Sequence, residues 1–325
     1  MSVMQPAWWC HSILLLLLVV ISCDQAGDHQ RVITEAVEAK NEGAFQKAAE
    51  LYHQAEQLGP LDAEAHYQLA LLLLQLSDVG DAEGHLRKAI SLRPDFGPAY
   101  LNLGVALVKR GERQAGRTAF LEALRLDLGL TRAYYNLGIL ELEDGRPDEA
   151  EVLFQSAMLT DPAHQASYVR LGNLYVRKRK FSAAVDVIER AVTVEPTDPR
   201  TFFNLGLAYE GFGKPGEALK AFQRAIALNP SYAPAQYNLG TLLLQTKAYQ
   251  EALDPLREAI RLDPKHSDAF YNLAAAYALL EKRESALQHL RRAIELQPEL
   301  AAEARKDDDF TSLHADPDFL AATQP

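Results

Sequence analysis

A pattern of 34 residues recurs eight times in this sequence without insertion or deletion, and it constrains the fold more than any other feature. A fixed period of this kind is typical of repeat arrays, in which each unit packs only against its neighbours. We therefore predict one continuous array, although a chain of 325 residues would ordinarily suggest two domains. The predicted repeats are 29–62, 63–96, 97–130, 131–164, 165–198, 199–232, 233–266 and 267–300.

Each repeat carries two helical patterns separated by a turn. Apolar residues at repeat positions 4, 7, 8 and 11, and again at 20, 24, 27 and 28, follow the spacing of amphipathic helices. Position 27 is alanine in every copy. Position 32 is proline in every copy except the third, and this proline prevents the second helix from continuing. Glycine occupies the turn at position 15 in four copies: Gly43, Gly111, Gly145 and Gly213.

These positions resemble the tetratricopeptide repeat, with Leu followed by Gly or Ala at positions 7 and 8, Ala at 20 and 27, and Pro at 32. The resemblance covers His29 to Leu300. It implies an all-α fold, a right-handed α-solenoid of eight tetratricopeptide helix-turn-helix repeats with a concave groove. Two copies depart from the pattern. Glu35 and Ala39 in the first copy indicate an N-terminal cap, and Gly116 replaces the alanine of position 20 in the third.

The first 28 residues carry no repeat, and we predict that residues 1–22 form a signal peptide. The apolar run from Ile13 to Ile21 has the length of a secretory hydrophobic region. Val20-Ile21-Ser22-Cys23 resembles the bacterial lipobox, which implies lipidation of Cys23 and cleavage before it. Residues 23–28 would then be the lipidated cysteine and a short tether.

An uncleaved N-terminal membrane anchor is the alternative, because no Lys or Arg precedes His11. That anchor would run from Ala7 to Cys23, with Trp8 and Trp9 at the membrane interface. Both interpretations attach the repeats to a membrane of the cell envelope, facing the periplasm or the exterior. The two cysteines are Cys10 and Cys23, so we predict no disulfide in the mature chain.

Residues 301–325 follow the last repeat, and we predict that they form a C-terminal cap and tail. Stacked repeats need such a cap because the last unit otherwise leaves an apolar face in water. We expect Ala301 to Lys306 to extend a helix and the three acidic residues 307–309 to form a solvated turn. The expected covering side chains are Phe310, Leu313, Phe319 and Leu320.

Charge and motifs exclude several functional classes. The net charge of −11 disfavours binding to nucleic acid, which requires basic clusters. The nine histidines are scattered without metal-ligand spacing, and no glycine-rich phosphate loop is present. We interpret the carboxylates as helix-surface charges or caps, and we predict no enzyme activity, no metal and no small-molecule cofactor.

The groove that the resemblance implies is the candidate site, since first-helix positions 2, 5, 6, 9 and 12 of the family tend to face it. Position 6 carries asparagine in five copies. These asparagines form a ladder that resembles the one in the repeats of O-GlcNAc transferase, where side-chain amides hold a peptide backbone. A purely structural role for these asparagines is the alternative. Position 5 carries aromatic residues that we expect to be partly exposed. The candidate groove residues are Asn102, Asn136, Arg170, Asn204, Asn238, Asn272, Tyr135, Phe203 and Tyr237.

The sequence therefore predicts a membrane-tethered, non-catalytic scaffold or adaptor that binds a protein or peptide segment in its concave groove. Bacterial lipoproteins of this architecture, including pilotins and adaptors of cell-wall hydrolases, are examples of the class. The alternative is a recognition subunit of an enzyme complex, such as a complex with a separate glycosyltransferase chain.

Overall fold

The computed structural model describes residues 27–324, and the predicted signal peptide and Cys23 lie outside them. The described residues form α-helices and one short 3-10 helix, with no strand among them. The prediction of an all-α solenoid of tetratricopeptide-like helix pairs is thereby confirmed. One boundary needs correction, because residues 27 and 28, predicted to belong to the tether, already lie in the first helix.

The chain divides into two compact units, with the boundary between Pro162 and Ala163. Unit 1 contains eight helices within its described residues. They are α1 (27–41), α2 (Phe45–Leu58), α3 (Ala63–Gln75), α4 (Val79–Leu92), α5 (Gly97–Lys109), α6 (Arg113–Leu126), α7 (Thr131–Glu143) and α8 (Pro147–Thr160).

Unit 2 contains four helix pairs followed by three short helices. The pairs are α9 (Gln165–Arg177), α10 (Phe181–Val194), α11 (Pro199–Gly211), α12 (Pro215–Leu228), α13 (Ala233–Gln245), α14 (Tyr249–Leu262), α15 (Ser267–Leu279) and α16 (Arg283–Leu296). The short helices are α17 (Leu300–Ala304), the 3-10 segment Asp308–Leu313 and α18 (Pro317–Ala322).

The turn inside each pair has one conformation throughout both units. The four glycines at position 15 have positive φ angles between 76° and 85°. Ser77, Arg179, Lys247 and Glu281, at the same position of the other repeats, also have positive φ, a conformation that L-residues adopt at some cost. The fold therefore imposes this turn even where the sequence does not supply glycine.

Small residues at position 8 allow the two helices of a pair to approach closely. A Cβ atom added to Gly138 would lie 2.8 Å from the Phe154 ring, and one added to Gly206 would lie 2.4 Å from the Phe222 ring. Phe154 and Phe222 are fully buried, as are the alanines of position 27. The core of each unit is thus built from first-helix glycine or alanine, second-helix aromatic or aliphatic residues and the invariant alanine.

The residues after the last repeat depart from the prediction in two respects. Phe310, Leu313 and Phe319 are buried, but Leu320 is 45% exposed and does not cover the last repeat. Asp307 belongs to no solvated turn, because its carboxylate accepts a hydrogen bond from the Tyr271 hydroxyl at 2.7 Å and another from the Asp309 amide nitrogen. This aspartate ties the 3-10 segment to α15 and raises the pKa of Tyr271, after the larger effect of burial.

Candidate functional surface on the first helices

In unit 1, the position 6 asparagines differ in what they bind. Asn102 on α5 is buried, and its amide nitrogen donates to the Pro98 carbonyl oxygen at 2.9 Å and the Tyr67 hydroxyl at 3.2 Å. Asn136 on α7 is half-buried and has no side-chain hydrogen-bond partner within residues 27–324. Asn102 therefore braces two repeats, whereas the Asn136 amide is available to a ligand.

A small apolar cavity lies beside Asn136. Its volume is about 130 Å³, and its walls come from α5, α6 and α7. The half-buried Val105 and Ile139, both at repeat position 9, are part of the lining. The complete lining is Val105, Val108, Lys109, Phe120, Asn136, Ile139, Leu140 and Glu143. An unpaired amide next to an apolar cavity is an arrangement suited to one side chain and its adjacent peptide unit.

The ladder in unit 2 is divided in the same way. The Asn272 amide nitrogen donates to the Thr241 hydroxyl at 3.0 Å and to the Tyr237 hydroxyl at 3.4 Å, which repeats the Asn102 to Tyr67 contact. Asn238 donates to the Pro234 carbonyl oxygen of its own helix at 2.8 Å. Asn204 is half-buried without a side-chain hydrogen-bond partner in the described chain, and Arg170 is exposed.

The three candidate aromatic residues are half-buried, so each is partly exposed and partly packed. Tyr135 packs on Phe154 with ring centroids 6.1 Å apart, and Phe203 packs on Phe222 at 5.9 Å. Tyr237 lies against the His266 ring at 4.5 Å, and burial raises the pKa of its hydroxyl. These residues combine inter-helix packing with a partly accessible surface.

Glu210 is a groove-position residue that sequence reasoning missed. It occupies position 12 of the sixth repeat on α11 and is half-buried. Burial raises the pKa of its carboxyl group above the ordinary value, because the low-dielectric surroundings disfavour the charged form. The sequence contained one sign of this residue: position 12 is apolar in most repeats of this chain, but it is a glutamate here.

Two other carboxylates correct the prediction that every acidic side chain is a surface charge or a cap. Glu83 and Glu141 are 2% and 5% exposed. Glu83 accepts hydrogen bonds from Arg87 and Arg110, and Glu141 accepts them from Arg117 and Arg146. They are buried, arginine-paired groups that link successive helices, and this pairing raises the pKa of Arg110 and Arg117.

Histidines that are far apart in the sequence meet in unit 1. His53 and Glu56 on α2 and His85 on α4 place one potential ligand atom each within 4.8 Å of one another. His66 on α3 is buried, and its Nδ1 lies 2.9 Å from Nδ1 of His85. The sequence spacing gave no sign of this cluster, because its members come from three helices.

A larger cavity of about 520 Å³ lies beside α16, away from the position 6 residues of unit 2. Its lining is mainly charged and includes Arg283, Arg291 and Asp318. Arg283 is held by Asp316 and Asp318 of the C-terminal cap. This cavity is therefore bounded by ion pairs that fasten α18 to α16.

No helix within residues 27–324 combines the length and the apolar character needed to cross a bilayer.

Two family models together match most of the described chain. The model of the Cilia and flagella-associated protein 70 C-terminal domain matches residues 107–306, and a tetratricopeptide repeat model matches residues 33–95. A TPR repeat-containing protein of Pseudomonas aeruginosa is 46% identical over 66 residues, which are 20% of this chain and 27% of that protein. The Protein SGT1 homolog of Oryza sativa is 36% identical over 75 residues, covering 23% and 20%. The matches span under a third of either relative.

Solved structures share the fold. YrrB, described as a TPR protein with an unusual peptide-binding site, is 31% identical with a TM-score of 0.52, covering 58% of this chain and 98% of YrrB. PilF of Pseudomonas aeruginosa has a TM-score of 0.55 at 19% identity, covering 67% and 96%, and so shows the fold alone. Because one family model spans residues 107–306, this chain belongs to the tetratricopeptide-repeat family, in the group of the Cilia and flagella-associated protein 70 C-terminal domain.

Proposed function

We propose that this protein is a non-catalytic interaction scaffold that binds an extended, apolar peptide segment of a partner on the first-helix face of its repeats. The observation that carries the proposal is the half-buried amide of Asn136, unpaired among the described residues, beside the apolar cavity of about 130 Å³. Proteins of this repeat fold generally mediate protein-protein interactions and are generally non-catalytic.

The chemistry of this site matches a peptide better than a polar small molecule. Removing an apolar side chain from water into the cavity between Val105 and Ile139 is favourable. The Asn136 amide offers both a donor and an acceptor, which is the complement of one peptide unit. Lys109 and Glu143 at the cavity margin add opposite charges, so the flanking residues of the segment can carry either sign.

Asn204 offers a second amide of the same kind in unit 2. It has no partner in the described chain, and Glu210 lies on the same helix as a half-buried carboxylate. A basic side chain in the bound segment would neutralise that carboxylate. YrrB supports the proposal by analogy, since a relative at 31% identity is described as having a peptide-binding site.

We also propose that the scaffold is tethered to a membrane of the bacterial cell envelope through a lipid on Cys23. The support for this tether is the apolar run ending in Val20-Ile21-Ser22-Cys23. Two or more acyl chains would hold the repeats stably at the membrane surface. Partners in the periplasm or on the cell exterior would then meet the groove close to that membrane.

The peptide proposal is tested with a library of short random peptides displayed on phage and selected against the full repeat array. The enriched peptides are synthesised, and their dissociation constants are measured by fluorescence anisotropy. Asn136→Ala should weaken binding by about fivefold, the effect of one lost hydrogen bond of about 1 kcal/mol. Ile139→Lys should abolish it, because a charge would enter the cavity.

Leu121→Lys is the matched control, since Leu121 is 52% exposed on α6 and does not line the cavity. It should leave the dissociation constant unchanged. Circular dichroism should show that all three variants keep their helix content. Equal binding by wild type, Asn136→Ala and Ile139→Lys would place the peptide elsewhere and overturn the proposal.

A further inference from the structure

The first two repeats bring together side chains with the composition of a metal site. His53 and Glu56 are three residues apart on α2 and thus lie on one face of that helix. His85 projects from α4, which belongs to the next repeat. One ligand atom from each of these residues lies within 4.8 Å of the other two, although His85 is separated from the α2 pair by a complete helix in the chain.

The geometry points to a Zn²⁺ site formed by His53, Glu56 and His85, which links the first repeat to the second. Imidazole nitrogen and carboxylate oxygen are ligands that Zn²⁺ accepts at about 2.0–2.2 Å. By that geometry, the ligand atoms around one tetrahedral ion lie about 3.3 Å apart. The three side chains, whose ligand atoms lie within 4.8 Å of one another, therefore need to move only slightly closer together to bind the ion. Water would complete the four-coordinate shell.

The surroundings of the three ligands suit a bound cation. His85 is 8% exposed, so the protein shields its imidazole from competing water. Nδ1 of His66 lies 2.9 Å from Nδ1 of His85. A hydrogen bond there fixes the orientation and tautomer of the imidazole, as partners of metal ligands commonly do.

Lys88 faces the carboxylate of Glu56. Its Nζ donates to Oε1 of Glu56 at 2.7 Å, and the carboxylate has a second oxygen that can accept a metal ion. The Lys88 side chain is 55% exposed and can turn into solvent. Its charge nevertheless opposes a cation at Glu56, so its removal should raise the affinity for Zn²⁺.

The site lies where the repeat pattern is weakest. Repeat 1 carries Glu35 and Ala39 in place of Leu and Tyr, and within residues 27–324 it adjoins a repeat on one side only. A metal ion that bridges α2 and α4 would hold repeat 1 on the array. A ligand that binds the folded state and not the unfolded state stabilises the folded state.

The test uses the full repeat array without a histidine tag, stripped of metal by chelation. Equilibrium dialysis with ZnCl₂ and metal analysis should give one Zn²⁺ per chain. Substitution by Co²⁺ should give the visible absorption of a tetrahedral site. Hydrogen exchange should slow in α2 and α4 when Zn²⁺ is added, without a comparable change in unit 2.

Variants distinguish this site from unspecific binding. His53→Ala and Glu56→Gln should each lower Zn²⁺ affinity by at least about tenfold. His289→Gln, which changes a half-buried histidine of unit 2, should change nothing. Lys88→Gln alters an exposed side chain, threatens the fold least and should increase the affinity several-fold.

The opposite results have a clear meaning. If the stripped protein takes up no Zn²⁺, His66 and His85 form only a hydrogen-bonded pair and the proposal is wrong. It is equally overturned if Zn²⁺ binds with the same affinity to His53→Ala, Glu56→Gln and Lys88→Gln. Neither result bears on the peptide site at Asn136, which is tested separately.

Discussion

The side-chain amide of Asn102 donates a hydrogen bond to the hydroxyl of Tyr67 in the preceding repeat, at 3.2 Å. Asn272 and Tyr237 repeat this contact in unit 2 at 3.4 Å. In both pairs the asparagine follows the tyrosine by 35 residues, one full repeat and one position. Where position 5 of one repeat is tyrosine and the next repeat has asparagine at position 6, the ladder joins neighbouring repeats.

Asn102→Ala should therefore destabilise the protein, whereas Asn136→Ala should not. The first change removes two hydrogen bonds in a buried place and leaves the Tyr67 hydroxyl with one partner fewer, a loss of about 1–2 kcal/mol in the free energy of unfolding. The second removes no side-chain hydrogen bond within the described chain. Urea denaturation followed by circular dichroism measures both.

A double-mutant cycle with Tyr67→Phe isolates the pair. The interaction energy between Asn102 and Tyr67 should be about 0.5–1 kcal/mol. A coupling energy of zero would mean that Asn102 acts only through the Pro98 carbonyl group.

Gly116→Ala should destabilise the protein even though it restores the alanine found at position 20 of the other repeats. An added Cβ would lie 2.6 Å from Cγ2 of Val108 and 3.1 Å from the backbone oxygen of Gly104. The backbone oxygen cannot move aside without separating α5 from α6, so we expect a loss of about 1–3 kcal/mol.

Gly84→Ala is the matched control for this substitution. Gly84 is exposed within α4, and nothing lies within 4 Å of its added Cβ. Replacing glycine in a helix interior should stabilise the protein by up to about 1 kcal/mol. Thermal unfolding should thus shift in opposite directions for the two variants, and a higher Tm for Gly116→Ala would contradict the close packing of Gly104 and Gly116.

The repeat pattern was sufficient to predict the helices, because spacing and small residues at fixed positions encode local structure directly. In the structure, the first helices of repeats 2 to 8 begin at the first residue of each repeat, from Ala63 to Ser267. The functional surface was harder to predict. Asn102 and Asn136 occupy the same repeat position, and each is followed by Leu-Gly. Their hydrogen-bond partners differ because the partner of Asn102 is Tyr67, which belongs to another repeat.

Contacts between repeats also explain the other omissions. His53 on α2 and His85 on α4 approach each other across two adjacent repeats of unit 1. The buried Glu83 accepts a hydrogen bond from Arg110 of the next repeat. A one-dimensional period assigns positions to faces, but it does not show which particular side chains meet across a helix interface. Leu320, expected in the cap and found exposed, illustrates the same limit.

Glu210→Gln should stabilise the protein at neutral and higher pH and have no stabilising effect in acid. Burial raises the folded-state pKa of Glu210 above its ordinary value of 4.5, so the folded protein binds more protons than the unfolded chain between these two values. The free energy of unfolding therefore falls as pH rises through this interval. Glutamine removes that loss because it does not ionise.

Urea denaturation at a series of pH values checks this prediction. The difference in stability between Glu210→Gln and wild type should grow as pH rises above 4.5 and then level off. Glu217→Gln, an exposed change on α12, is the control and should show no comparable trend. If the difference in the free energy of unfolding between Glu210→Gln and wild type is the same at all pH values, the effect of the substitution comes from side-chain packing and not from ionisation of Glu210.

Cys23→Ser should release the protein from membranes if lipidation of this cysteine is its anchor. Labelled palmitate should enter the wild-type protein and not the variant, and fractionation should move the variant into the soluble fraction. Cleavage before Cys23 also removes Trp8 and Trp9, the two tryptophans of the sequence. Purified mature protein should therefore show tyrosine fluorescence without a tryptophan signal. A tryptophan signal together with unchanged membrane fractionation of Cys23→Ser would instead identify an uncleaved anchor from Ala7 to Cys23, because that segment holds both tryptophans and needs no lipid to remain in the bilayer.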